Sequence, residues 1–327
     1  MKHRTIKVMV LLLAVGALLF AGGSKESSAE PSDTMRAAML MSGPINDGGW
    51  NTSAYEGLLK LRDELGFEIA YSELVPQTEH VNILRNYASR GYDIVFGHGF
   101  EYGESLLEVA EEFPNVNFYQ IGGDVETDNV GSGVFASGEH AYLMGKLAAK
   151  FTSTNRIGFV GAMAIPTIEL EVMVLRETIE IYNPDASFTV AYTGSWDDVV
   201  RGKEAALAQI ANGVDVIIAI GDACDVGAIQ AAEEEGVHVI GWSGDFHSLS
   251  PEVVLTSAVQ SVPELIMMQG QMLMDGVWNA EHKVWGIPEG VMYLGGWSQA
   301  VPAELKEEIM SDLEDMKTGI VNRRISL

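Results

Sequence analysis

Short apolar runs alternate along the chain with segments whose apolar positions recur every three or four residues. The run at 37–41 is typical of a buried strand. It is followed by four apolar positions at helical spacing, Ala54, Leu58, Leu61 and Leu65. Gly66 ends this helix, and the alternation of strand and helix continues to about residue 240. Because strands separated by helices pair in parallel, the pattern predicts an α/β fold with doubly wound parallel sheets.

The alternation occurs twice, which indicates two similar lobes. Strands are predicted at residues 37–41, 68–72, 94–96, 118–121, 157–160, 187–192, 216–220 and 237–240. The sequence Gly-Tyr-Asp-Ile-Val-Phe at 91–96 matches Gly-Val-Asp-Val-Ile-Ile at 213–218, the corresponding place in the second half. Ligands of such sheets bind beyond the carboxyl ends of the strands, so we expect one cleft between the lobes. Two independent α/β domains without a shared cleft are the alternative.

The first residues have the pattern of a secretory signal. Basic residues at positions 2, 4 and 7 precede an apolar run at 8–20 that is short for a membrane span. We predict a cleaved signal peptide at 1–21 and a flexible linker at 22–35, with a retained membrane anchor as the alternative. Because the cleavage region at 21–23 has no Cys, we expect a soluble exported protein, periplasmic or extracytoplasmic, rather than a lipoprotein.

The composition excludes several classes of protein. The chain has 327 residues, a length typical of two domains, and its 46 acidic and 20 basic side chains give a formal charge of −26. Such a charge repels phosphate backbones, so we expect no nucleic-acid partner. The single cysteine, Cys224, excludes an internal disulfide framework and a zinc site built on several thiolates.

Aromatic residues follow several of the predicted strands. Trp50, Phe100, Trp196 and Trp242 lie in loops after strands, whereas most aromatic side chains are expected in the core. Rings at strand ends are able to stack on a flat ligand. We therefore predict a pocket for a small planar molecule at the carboxyl ends of the strands.

Polar residues in the same loops are candidates for contacts to the edge of such a ligand. They are Asn46, Asp47 and Asn51 after the first strand, His98 after the third, and Asp222, Ser243 and Asp245 in the second lobe. Their side chains provide both donors and acceptors of hydrogen bonds. The alternative for Asn46 and Asp47 is an ordinary turn and helix cap, and a single histidine more often has a structural role.

Signs of catalysis and of metal binding are weak. The sequence has no G-x-S-x-G, H-E-x-x-H, Walker A or G-x-G-x-x-G motif, so we predict neither an enzyme nor a bound cofactor. The pairs Asp197 with Asp198 and Asp222 with Asp225 have the chemistry to bind a divalent cation, but loop or capping roles explain them better. We therefore predict no metal site.

Seven segments, in order along the chain, have sequences that occur together in one protein family. They are Asn-Asp-Gly-Gly-Trp-Asn at 46–51, Tyr-Glu-Gly-Leu at 55–58, Gly-Tyr-Asp-Ile-Val-Phe-Gly-His-Gly-Phe at 91–100, Gly-Phe-Val-Gly at 158–161, Ile-Pro at 165–166, Tyr-Thr-Gly-Ser-Trp-Asp-Asp at 192–198 and Val-Leu-Thr-Ser-Ala-Val at 254–259. In these segments the chain resembles the basic membrane protein (BMP) family of ABC-transporter substrate-binding proteins. The resemblance implies a type I periplasmic-binding-protein fold, a three-segment hinge, and purine nucleosides as ligands.

The resemblance also implies the division of the chain into lobes. The first lobe is expected at 36–136 and 258–291, and the second at 137–257 and 292–327. The hinge candidates are the segments at 135–137, 256–260 and 291–294.

Roles for individual residues follow from the same resemblance. Asn46 and Asp47 look like contacts to the purine edge, and Phe100 and Trp196 look like cleft aromatics.

Three positions depart from the family pattern. Nucleoside-binding members tend to have an aspartate and a lysine that reach the ribose, where this chain has Ser243 and Gln260. An aspartate is also expected after the strand at 118–121, where Gly122 stands. Because Ser and Gln offer only neutral hydrogen bonds, we expect the base to be recognised more strongly than the ribose, which makes a free nucleobase a candidate ligand.

The leading hypothesis is an exported substrate-binding protein of an ABC importer. It would close its lobes on a purine nucleoside or nucleobase and deliver this ligand, as a monomer, to a permease in the inner membrane. The first alternative is a ligand-sensing binding protein that presents a different small planar or sugar-like ligand to a receptor. The second alternative is an exported hydrolase that acts on nucleosides, which the acidic loops alone support.

Overall fold

The computed structural model describes residues 34–47 and 49–324. The predicted signal peptide at 1–21 and nearly all of the predicted linker at 22–35 lie outside the described residues. Within the described ranges, no helix combines the length and the apolar character that a membrane span requires.

Strands and helices alternate along the described chain. The strands are β1 (Arg36–Met41), β2 (Glu68–Ser72), β3 (Ile94–His98), β4 (Asn117–Ile121), β5 (Val130–Phe135), β6 (Arg156–Gly161), β7 (Ser187–Tyr192), β8 (Val216–Ile220), β9 (His238–Ser243), β10 (Val254–Gln260), β11 (His282–Trp285) and β12 (Met292–Leu294). The α-helices are α1 (Trp50–Leu65), α2 (His80–Ser89), α3 (Gly103–Glu112), α4 (Glu139–Phe151), α5 (Pro166–Tyr182), α6 (Val199–Ile210), α7 (Ala223–Glu235), α8 (Val262–Met274) and α9 (Ala303–Lys317). The sequence pattern misses β5, β10, β11, β12, α8 and α9.

The strands form two six-stranded sheets. Their orders are β11-β5-β4-β3-β1-β2 and β12-β10-β9-β8-β6-β7. Pairing is parallel throughout the first sheet, and in the second sheet β12 alone pairs antiparallel, with β10. The prediction of two parallel-sheet α/β lobes is thereby confirmed. We call the part built on the first sheet the first lobe and the part built on the second sheet the second lobe.

The strands are apolar because helices cover both faces of each sheet. In β1, Met39 packs in one core with Leu58 of α1, whereas the next residue, Leu40, packs in a separate core with Leu84 of α2 and Leu106 of α3. The two faces of β1 are thus both buried, which explains why the sequence shows an unbroken apolar run at 37–41 instead of an alternating one.

The chain passes between the lobes at three places. It leaves the first lobe after β5, returns after β10 because α8 packs against α1, and leaves again between β11 and β12. The predicted boundary at 258 falls inside β10, which stays paired with β12 as far as Gln260, opposite Met292. The second passage therefore lies at Ser261, after the predicted boundary.

Candidate ligand-binding site

A cavity of about 580 Å³ lies at the carboxyl ends of the strands, with residues of both lobes in its wall. Its first-lobe wall includes Ser42, Trp50, Asn51, Phe100, Glu101 and Gly122, and its second-lobe wall includes Thr167, Glu171, Trp196, Asp197, Asp222, Trp242, Ser243 and Gln260. Because strands in both sheets end at this place, the loops that follow them meet there. The cavity has the size and the mixture of apolar and polar groups that are typical of a site for a small molecule.

The structure brings together most of the residues predicted for the site. Trp50, Asn51, Phe100, Trp196, Asp222, Trp242, Ser243 and Gln260 lie in the cavity wall. Asn46, Asp47, His98 and Asp245 lie outside this wall.

Trp50 begins α1 and is held from two sides. The imidazole of His98 stacks on its indole with ring centroids 4.2 Å apart, and the Phe135 ring meets it edge-on at 6.1 Å. Gly122 lies against the far edge of the indole, since a β-carbon at this position would be 3.3 Å from Cζ2 of Trp50. Glycine at position 122 thus leaves room for the tryptophan ring.

His98 lies behind the cavity wall and not in it. It is fully buried, and its Nε2 donates a hydrogen bond to the backbone oxygen of Trp50 over 3.0 Å. Burial lowers the pKa of His98 to about 3, so the ring is neutral. In this position it supports Trp50.

The other aromatic rings differ in exposure. Phe100 is 72% exposed at the mouth of the cavity, and Trp196 is half-buried. Trp242 is only 2% exposed and meets the ring of the buried His140 edge-on at 5.7 Å. The cavity thus has an exposed ring, Phe100, and a buried ring, Trp242, in one wall.

Asp47 caps helix α1. Its carboxylate accepts hydrogen bonds from the backbone N–H groups of Gly49, Asn51 and Thr52 at 2.9 to 3.0 Å. Burial acts to raise the pKa of Asp47, but hydrogen bonds from Thr52, Asn51 and Gly49 outweigh it and hold the pKa below its usual value. Asn46 is exposed beside it. The local sequence that looked like a ligand contact therefore forms the alternative, a turn and helix cap.

Asn51 is the one of the three polar candidates in this loop, Asn46, Asp47 and Asn51, that lies in the cavity wall. Its Nδ2 donates to Asp47 over 2.7 Å, and its buried Oδ1 has no hydrogen-bond partner among the described residues. The cap thus orients the amide of Asn51 and leaves one acceptor free.

The side chain of Asp222, in the second lobe, contacts the start of α1 in the first lobe. It follows β8 in the second lobe, with a left-handed backbone φ of 50°, and the backbone N–H of Trp50 in the first lobe donates to its carboxyl group. A β-carbon on Gly49 would lie 2.8 Å from its Oδ1, so this contact requires glycine there. Burial, followed by the charges of Asp47 and Asp197, raises the pKa of Asp222 to about 7.

Glu171 is an acidic wall residue that sequence reasoning misses. It is 5% exposed on α5, and its Oε2 accepts a hydrogen bond from the backbone N–H of Gly138 over 3.1 Å. Burial, with a smaller contribution from the charge of Glu139, raises the pKa of Glu171 to about 7. The sequence feature that points to Glu171 is its helical spacing from Thr167 and Ile168, which places the three residues on one face of α5.

Ser243 and Gln260 are in the wall, whereas Asp245 points elsewhere. The Asp245 carboxylate accepts hydrogen bonds from the backbone N–H groups of Gly296, over 3.0 Å, and His247, over 3.1 Å. These bonds tie the loop after β9 to the loop after β12, which explains why this aspartate is outside the cavity.

The acidic pairs form no metal centre. Within residues 34–47 and 49–324, no group of three or more His, Cys, Asp or Glu side chains is arranged to hold a metal ion. Asp198 instead caps α6 through the backbone N–H of Arg201 at 3.1 Å. Cys224 is buried, and its thiol donates to the backbone oxygen of Ser195 over 3.0 Å.

Comparisons with known proteins agree with this architecture. The model of the Bmp family, described as ABC transporter substrate-binding protein PnrA-like, matches residues 34–327. The chain is 28% identical to the transcriptional activator protein Med of Bacillus subtilis, covering 87% of this chain and 89% of that protein. It is 25% identical to a purine-binding protein of Brucella abortus, covering 96% of this chain and 88% of that protein.

A solved structure shares the fold. The crystal structure of an ABC transporter solute-binding protein from Conexibacter woesei superposes with a TM-score of 0.75 at 26% identity, covering 88% of this chain and 98% of that one. The expected type I periplasmic-binding-protein fold is thereby confirmed, and so is the resemblance noted in the sequence. Because the family model spans nearly all of the described residues, the chain belongs to the Bmp family of PnrA-like ABC transporter substrate-binding proteins.

Proposed function

We propose that the protein captures a purine nucleoside or nucleobase in the cavity between its lobes and delivers it to an ABC permease. The observation that carries this proposal is the convergence of Trp50 and Phe100 from the first lobe with Trp196 and Trp242 from the second on one cavity. Aromatic rings on both sides of a gap suit a flat, fused ring system. The purine-binding relative in Brucella abortus supports the same ligand class.

The polar groups of the wall favour the base over the sugar. Ser243 and Gln260 stand where nucleoside-binding members tend to have charged groups, and they offer only neutral hydrogen bonds. Asn51 adds a neutral amide to the same wall, and amide groups pair with the donors and acceptors on the edge of a base. The ribose then contributes little to the affinity, so a nucleobase and its nucleoside bind with similar strength.

Binding is coupled to closure of the lobes about the three passages of the chain. The segments expected for the hinge, at 135–137, 256–260 and 291–294, adjoin these passages, and we place the second hinge point at Ser261, directly after β10. A ligand shifts such an equilibrium only by its greater affinity for the closed form, and the contact between Asp222 and the N–H of Trp50 adds to closure. Scattering profiles recorded with and without ligand measure the change in size, and identical profiles would refute it.

The proposed setting is outside the cytoplasm. Export by the signal at 1–21, release as a soluble monomer and docking of the closed form on a permease in the inner membrane complete the proposal. A substrate-binding role requires no catalysis, so the ligand should be recovered chemically unchanged after prolonged incubation.

Calorimetric titration with adenine, guanine, adenosine and guanosine tests the ligand. We expect binding of at least one base, and a nucleoside affinity within about tenfold of it, which corresponds to 1.4 kcal/mol. The variant Trp196→Ala should lose most of this affinity, whereas Trp297→Ala, a half-buried tryptophan outside the wall, should retain it. Absence of binding by all four compounds would refute the purine assignment.

A sensor is the second candidate, because one relative is named a transcriptional activator. In this role the closed protein presents a different planar or sugar-like ligand to a receptor. Mass spectrometry of the small molecule retained after purification distinguishes the two, since a purine supports the first role and a sugar-like compound supports the second.

A further inference from the structure

The cavity wall is acidic as well as aromatic. It contains the carboxyl groups of Glu101, Glu171, Asp197 and Asp222, and none of its described residues is Lys, Arg or His. The aromatic rings and the carboxyl groups therefore share one surface, without a positively charged side chain beside them in the described wall. A cation bound against this wall would face rings and carboxyl groups, with no positively charged side chain in the described wall to repel it.

Two of these carboxyl groups are partly or wholly removed from water. Glu171 is 5% exposed and Asp222 is half-buried, and a carboxylate removed from water without a counter-charge is costly. Each has one hydrogen bond from a backbone N–H group, from Gly138 and Trp50 respectively. These neutral donors, with the hydroxyl of Ser137 at Glu171, offset only part of the cost, because the charges of Asp47 and Asp197 also act on Asp222.

We propose that the ligand of this cavity carries a positive charge on or beside its flat ring system, held between the aromatic rings and facing Asp222 and Glu171. The inference rests on the proposed function only in that the cavity is the ligand site. Within the purines it favours ring-methylated or otherwise cationic bases, and it disfavours nucleotides, whose phosphates would face like charges.

Two physical terms support a cation at this place. Cations are attracted to the faces of Trp and Phe rings, and this attraction grows when water is excluded. The carboxylates add a Coulomb term of the same sign, and the formal charge of −26 on the whole chain draws cations toward the cleft.

The test uses flat probes that share one fused ring system and differ in charge. N-methylquinolinium, neutral quinoline and quinoline-2-carboxylate are titrated by calorimetry at about pH 7.5, above the raised pKa of Glu171 and of Asp222. We expect the cation to bind about tenfold more tightly than quinoline, and the anion to bind more weakly than quinoline. Equal affinity for cation and neutral ring would overturn the inference.

A purine series separates this inference from the purine assignment. 1-Methyladenosine, which is mainly cationic at this pH, should bind more tightly than adenosine, and adenosine more tightly than its 5′-phosphate. If purines bind without preference for the cation, the inference fails and the proposed function stands. If no purine binds but N-methylquinolinium exceeds quinoline, the purine assignment fails and the inference stands.

Substitutions of single wall residues test which carboxyl groups are responsible for the preference for a cation. Asp222→Asn keeps the size of the side chain and should remove most of the preference for N-methylquinolinium over quinoline, whereas Asp185→Asn, an exposed aspartate outside the wall, should leave it unchanged. Asp197→Asn, at an exposed wall position, serves if the first variant fails to fold, and should reduce the preference as well. A preference that survives every substitution in the wall would overturn the assignment.

Discussion

The imidazole of His98 lies flat against the indole of Trp50, with ring centroids 4.2 Å apart and planes inclined by 23°. A buried, neutral histidine thus forms the support for the ring that begins α1 and faces the cavity. The histidine therefore affects the ligand only through Trp50.

Replacement of His98 should distinguish its support of the Trp50 ring from its contribution to the free energy of unfolding. His98→Ala removes the stacking ring and leaves a cavity, so we expect a loss of about 2 to 4 kcal/mol in the free energy of unfolding and about tenfold weaker ligand binding. His98→Phe keeps the stacked ring but loses the hydrogen bond to Trp50, and should bind more tightly than His98→Ala. Titration and urea unfolding measure both effects, and equal binding by the two variants would contradict the supporting role.

Gly122 offers a second way to displace Trp50. Its φ of 86° strains any other residue, and a β-carbon there would lie 3.3 Å from the indole. Gly122→Ala should therefore cost about 1 kcal/mol in the free energy of unfolding and also weaken ligand binding.

Gly66 provides the matched control for this substitution. Its φ is 77°, and a β-carbon there would have no neighbour within 4 Å. Gly66→Ala should lower stability by a similar amount while ligand affinity stays at the wild-type value. A loss of affinity in both variants would show that backbone strain, and not contact with Trp50, is responsible.

The sequence predicts the strands that are apolar without interruption, because burial on both faces leaves a direct trace in the residues. It misses β5, whose sequence is Val-Gly-Ser-Gly-Val-Phe. Glycine weakens a strand pattern, and Gly133 is needed because the side chains of Tyr119 and Trp285 fill the space beside it. These partners come from distant parts of the chain, so no local pattern reports them.

In the candidate site, too, some positions follow from the local sequence and others depend on packing between distant segments. The rule that ligands bind at strand ends is enough to bring Trp50 and Trp196 to one cavity from sequence. It does not separate the two possible roles of Asp47, because a carboxylate before a helix has the same sequence pattern whether it caps the helix or contacts a ligand. Glu171 is missed because it lies within a helix and reaches the cavity only through the packing of α5.

Stability should depend on pH through Asp222. Burial and the charges of Asp47 and Asp197 raise its pKa from 3.8 to about 7, so between these values the folded protein holds a proton that the unfolded chain has released. The free energy of unfolding then falls as the pH rises from about 4 to 7, by up to about 1.4 kcal/mol per pH unit for this group.

Asp222→Asn removes one such group, so its unfolding free energy should fall less steeply in the same window. Glu171, whose pKa is also raised to about 7, retains its own contribution in this variant. Urea unfolding at a series of pH values compares the wild type with Asp222→Asn and with the exposed Asp185→Asn. Parallel curves for the wild type and Asp222→Asn would contradict the assignment.

Arg324 ties two passages between the lobes together, and its removal should loosen them. Its guanidinium meets the buried Glu139, just after the first passage, at 3.0 Å, and Glu289, within the third passage, at 2.7 Å. Arg324→Ala leaves the Glu139 carboxylate buried without its cation, so we expect a loss of about 3 kcal/mol in the free energy of unfolding. The control is Lys203→Ala, which breaks the more exposed pair with Glu234. This variant should change the free energy of unfolding little. If the two variants prove equally stable in urea, the pair at Arg324 contributes no more than an ordinary surface contact, and the passages must be held by packing alone.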